Sequence, residues 1–178
     1  MKPILYQSIE ELLQAYKKDE EIILGTFQNA LEELYFKAKE MQFIGKKDSL
    51  SSLGVCYCLS SVYTGNYEVR IDLYNEEFYL DESECCVYWE PDFIVSYLVK
   101  DMEYFRKTIK QKIPQIKIYE EQQFMTGYMR NYMYVLLEFL RQKMPNASEQ
   151  MHKHGIRISE DFQVFFGEYM GRYVVINQ

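Results

Sequence analysis

With 178 residues the chain is long enough for one ordinary hydrophobic core, and 48% hydrophobic residues with only 8 Gly and 4 Pro exclude a disordered, collagen-like or linker protein. Seventeen Tyr and 11 Phe make it aromatic-rich, and a formal charge of −7 makes it acidic. The charge is segregated: residues 1–103 carry net −11 and residues 104–178 net +4, which argues against non-specific binding to a polyanion such as nucleic acid.

The first ten residues hold no apolar stretch before acids appear, so a secretory leader is not expected. The longest uncharged run, residues 49–67, spans 19 positions, but it is rich in Ser and alternates like a strand rather than forming a membrane span. No membrane association and a cytoplasmic location are expected.

Ser8 and Glu11 have the form of a capping box, and Ile9, Leu12, Leu13 and Tyr16 share a helical face, which predicts a helix over 8–18. Asp19, Glu20 and Glu21 suit the first turn of a second helix, 20–43, carried by Phe27, Leu31, Leu34 and Ala38 and stopped at Gly45. The apolar spacing then changes to alternation. Tyr67, Val69, Ile71 and Leu73 take one face of a strand and Glu68, Arg70 and Asp72 the other. Strands over 55–63, 67–74, 77–80 and 84–89 predict an antiparallel meander with one apolar face.

Pro91 opens a helix over 91–113, and Pro114 separates it from another over 117–144. The middle of that second helix is apolar almost all round, so it is either central or a homodimer contact through residues 125–140. Residues 160–172 fit a helix or a strand. Gly167 and Gly171 disfavour the helix, so a hairpin is expected, with strands over 162–169 and 172–176 and a turn at Met170 and Gly171. These elements predict a single α+β domain: an antiparallel sheet covered on one face by three or four helices.

The common catalytic and phosphate-binding motifs are absent, and so few glycines supply little material for a phosphate loop. The four cysteines, Cys56, Cys58, Cys85 and Cys86, lack zinc-finger spacing. On strands the first pair shares a face and the second does not, so free, mostly buried thiols are expected. His152 and His154 are the candidate metal ligands if their segment is extended, and exposed loop residues otherwise. Eleven acids between residues 66 and 103, against Arg70 and Lys100, are either a solvated acidic surface or an acid–base pair in a pocket. Trp89 is either a core anchor or a recognition aromatic.

These features favour a non-catalytic cytosolic protein-binding or regulatory module of the inhibitor or immunity kind, with no cofactor. Its contact residues would be Glu68, Arg70, Asp72 and Trp89, on an acidic, Tyr-rich surface that suits a basic protein partner. The alternative is a small carboxylate- or metal-dependent hydrolase, which requires the acids to converge in a pocket.

Overall fold

The computed structural model describes residues 4–176. Helix α1 (Ile4–Phe43) is followed by strand β1 (Leu50–Tyr57), a helical turn α2 (Ser61–Thr64), and strand β2 (Val69–Tyr74). A 3₁₀ turn (Phe78–Leu80) leads to β3 (Cys86–Trp89), then to helices α3 (Asp92–Lys112), α4 (Ile118–Lys143) and α5 (Ala147–Lys153), and finally to β4 (Ile158–Glu168) and β5 (Tyr173–Val175).

The two expected N-terminal helices form one element that breaks where the acids begin. Asp19 leaves helical geometry, with φ −111° and ψ 19°. Ser8 is not a cap. The helix starts before it, and its buried hydroxyl donates to Asp101 Oδ1 on α3 (2.8 Å). Tyr128 and Tyr132 of α4 donate to the other oxygen, Asp101 Oδ2, at 2.5 and 2.6 Å. One buried carboxylate therefore ties three helices together, with hydroxyl donors replacing the water it loses.

The sheet order is β3-β2-β1-β4-β5. The first three strands are the predicted meander, and β5 pairs antiparallel with β4 as the predicted hairpin. The central joint departs from the fully antiparallel expectation: β1 and β4 run parallel, with Val55 opposite Phe166. The chain between β3 and β4 is three helices long, which is enough to cross back over the sheet and enter in that direction.

The helices pack on one face. Val55, Val69, Ile71, Leu73, Val164 and Phe166 point inward against Leu12, Phe27, Leu98, Met129, Leu136 and Leu140. The apolar face of α4 is therefore occupied by the chain's own core, which accounts for the near-continuous hydrophobic stretch at 125–140.

Three local expectations change. Residues 60–64 carry strand-forming side chains but coil into α2, closed by Gly65 in the left-handed conformation at φ 74°. Strand β1 instead begins at Leu50. Its Gly54 lies beneath the ring of Phe165, where a Cβ would overlap the aromatic carbons. Residues 78–80 are a 3₁₀ turn rather than a strand, with Phe78 at φ 55°.

Candidate functional site

Among the described residues no α-helix packs on the outer sheet face. The 3₁₀ turn folds back instead, and Phe78 and Tyr79 pack on Cys56, Tyr74 and Phe165, with Tyr169 alongside. Tyr74 and Phe165 stack at 6.0 Å, and Phe165 meets Tyr173 at 4.8 Å. Part of the Tyr surplus is therefore a small second core rather than an open recognition surface.

The predicted contact residues divide across this arrangement. Arg70 Nε and Nη2 donate to the two oxygens of Asp72 at 2.6 and 2.8 Å, and Asp72 is only 2% exposed. The carboxylate is neutralised in place, so it contributes no open negative charge. Arg70 also stands 5.1 Å from the ring centre of Tyr169. Glu68 remains exposed beside Glu90 and Asp92, and their like charge, after burial, holds the Glu90 carboxyl above its usual range. Trp89 is buried against Phe27 and Phe139, with ring centres at 4.7 and 5.8 Å, and its Nε1 donates to Thr26 Oγ1. It is a core anchor against α1 and α4.

Three of the acids, Asp72, Asp81 and Glu84, come together around a small hollow with Arg70 and Lys47, where each has a cationic partner, and the rest spread apart. Asp81 is internal, where it accepts from the ammonium of Lys47 and from the Ser83 backbone N–H. Glu76, Glu77, Glu82 and Glu84 are exposed around the 3₁₀ turn. His152 and His154 lie at the end of α5 rather than on an extended segment. One ring contacts the Ser148 carbonyl, and the other packs on Tyr35 near Glu32. Among the described residues no three His, Cys, Asp or Glu side chains are grouped to hold a metal ion. All four cysteines are free thiols. Burial pushes Cys56 up to about 12 and Cys85 up to about 11, so neither supplies a thiolate at neutral pH.

A cleft of about 520 Å³ lies on the opposite side of the sheet from β3, between α4 and the β4–β5 hairpin. Helical spacing on α4 brings Arg130, Met133, Tyr134 and Leu137 to its wall. Phe166 and Val174, opposite one another in the hairpin, form the floor. The hairpin is tight because Gly167 lies directly under Arg172 and Tyr173: a Cβ there would overlap the Arg172 carbonyl oxygen and the Tyr173 Cα.

The cleft's rim is charged and aromatic. Arg130 Nε and Nη2 both donate to Glu168 Oε1, at 3.0 and 2.8 Å. Burial raises the Tyr57 hydroxyl, and the Glu168 charge adds to it against the opposing Arg130. Tyr134 is 66% exposed at this rim, whereas the Tyr173 ring turns to the outer face against Phe165 and Phe78. Among the described residues Arg172 has no ion-pair partner, although it projects at the same rim.

No protein family matches the chain, and neither a curated protein nor a solved structure shows significant similarity to it. The chemistry of the cleft therefore has to be read from its own lining. That lining offers arginines, tyrosines and one carboxylate, with no His, Cys, Ser or Lys to form a nucleophile–base pair. Such a set can hold an apolar group and orient an anion. Sequence reasoning missed it because Arg130, Tyr134, Glu168 and Arg172 come from two separated segments. The one available signal was the net positive charge of the C-terminal part.

Proposed function

We propose that this chain is a non-catalytic module that binds another protein in a regulatory or inhibitory role, and that the cleft between α4 and the β4–β5 hairpin is its recognition site. The observation that carries this is the composition of the cleft wall: exposed Tyr134, half-buried Tyr57 and two arginines over an apolar floor, with no His, Cys, Ser or Lys beside them. Tyr and Arg are the side chains that dominate protein recognition, because they offer large contact area with polar ends. A volume of this size also suits a few side chains of a partner.

A cytoplasmic location belongs to this reading and is supported by the four unpaired thiols, which suit a reducing compartment. No helix among the described residues is long and apolar enough to cross a membrane. The hydrolase alternative loses its support where the acids spread into ion pairs, turns and the sheet edge.

Capture of a partner by the purified chain tests the reading, with two variants compared. Arg172→Glu with Tyr134→Ala is expected to abolish capture, and reversal of the acidic turn by Glu76→Lys with Glu77→Lys is expected to leave it intact. The opposite pattern moves the interface to the acidic side and restores the basic-partner reading.

A further inference from the structure

We infer that the free edge of β5 takes an extended segment of the partner as an added strand, with a carboxylate on that segment meeting Arg172. This rests on the cleft being the recognition site and names what enters it.

The hairpin's ladder sets out which backbone groups are available. Glu168 N–H donates to the Arg172 carbonyl, and Ile176 N–H donates to the Val164 carbonyl, both at 2.8 Å. Val174 sits opposite Phe166 between them. In an antiparallel ladder alternate residues turn their N–H and C=O toward the neighbouring strand, so residues 172, 174 and 176 face β4. Tyr173 and Val175 turn theirs away from the sheet, where no further strand follows. Unpaired edge groups of this kind are templates for another strand.

The edge is short, and hydrogen bonds exchanged with water contribute little net stability, so two residues' backbone groups hold a strand only weakly. The cleft supplies the remainder. A strand laid along β5 sends every second side chain to the α4 side, over Val174 and toward Tyr134 and Leu137. An apolar side chain fits there.

Charge selects the segment. Glu168 is taken by Arg130, and Arg172, although opposite Glu168 in the hairpin, makes no ion pair among the described residues, so the two arginines and one acid leave the rim with an excess positive charge. An acidic segment completes that rim and a basic one is repelled by it.

The test is an amide NMR titration of the full chain with the blocked peptide Thr-Val-Thr-Glu-Thr-Val, whose Val and Glu side chains share one face as Val174 and Arg172 do. Three comparisons accompany it: the Thr-Val-Thr-Lys-Thr-Val counterpart, the acidic peptide N-methylated at alternate residues, and the Arg172→Glu variant. The acidic peptide is expected to shift the Tyr134, Tyr173 and Val175 amides and to slow hydrogen exchange at Tyr173 and Val175. N-methylation is expected to abolish binding, and the lysine peptide or Arg172→Glu to weaken it about tenfold.

Equal binding of the acidic and lysine peptides overturns the inference. So do shifts at Tyr134 without slowed exchange at Tyr173 and Val175, although that result leaves the cleft reading standing. Slowed exchange that grows with protein concentration alone assigns the edge to a second copy and overturns an acidic partner. Partner capture that ignores the cleft variants overturns the cleft reading itself.

Discussion

The two edges of the sheet are built differently. At the β3 edge, Lys37 of α1 donates to the Cys86 carbonyl, and the Lys47–Asp81 and Arg70–Asp72 pairs fasten the adjoining turn and strand. Exposed glutamates surround it. At the β5 edge a three-residue strand stands beside an open cleft whose rim carries Arg130 and Arg172. The chain covers one outward carbonyl of the β3 edge and ion-pairs the strand and turn behind it, and leaves the β5 edge beside an open cleft. Charge alone does not mark a site: the acidic side has more of it, but its best-placed acids are neutralised within the fold.

The largest test of this contrast is Asp81→Ala. It leaves the Lys47 ammonium buried with the Leu73 carbonyl as its remaining partner, and removing one member of such a pair costs about 3 kcal/mol. The urea midpoint is expected to fall, with hydrogen exchange speeding at β3 while the paired amides of Val174 and Ile176 are unaffected. Equal acceleration at both edges breaks the comparison.

Gly167→Ala acts on the other edge. Its methyl group forces β5 away from β4 at a cost of about 2 kcal/mol, less than Asp81→Ala because β5 buries little. Loss of cleft binding is expected along with the lowered urea midpoint.

Arg172→Glu alone separates binding from folding. Stability is expected to stay within about 0.5 kcal/mol of the parent, as for other exposed positions. Partner affinity, measured by calorimetry, is expected to fall about tenfold. A matching drop in both quantities makes Arg172 a structural residue.

The smallest effect is at Glu90. Its folded-state pKa lies above the unfolded value, because burial, Asp92 and Glu68 disfavour the charged form. The folded chain therefore binds the proton more tightly, and stability declines as pH rises from the ordinary glutamate range through the raised value. Glu90→Gln removes that decline and stabilises the chain slightly at neutral pH, because solvent screens the charges around an exposed side chain. Thermal melts across this range that superimpose for parent and variant show that the like charges at the β3 edge are already screened.

Much of the fold was legible in local pattern. The break at Asp19, the alternation through Val69, Ile71 and Leu73, the long helices flanking Pro114 and the turn at Met170 and Gly171 follow from spacing and turn chemistry. The errors came where a neighbour overrides propensity. Residues 78–80 are strand formers held in a turn by packing on Phe165. The start of β1 was hidden because Gly54 reads as a breaker until Phe165 is seen to need the space. Helix α5 is a short element between two loops and gives little periodic signal.

The candidate site was less legible. Asp72, Asp81 and Asp101 count as acids in sequence, yet each is enclosed with its own donors. The sequence by itself determined which segments are helical or alternating, where the chain turns and how formal charge divides along it, because these depend on residues a few positions apart. Only the tertiary structure decided which charges are neutralised, that β1 and β4 run parallel, and that Arg130 and Arg172 share one cleft. Those outcomes depend on desolvation and pairing between residues far apart in the chain.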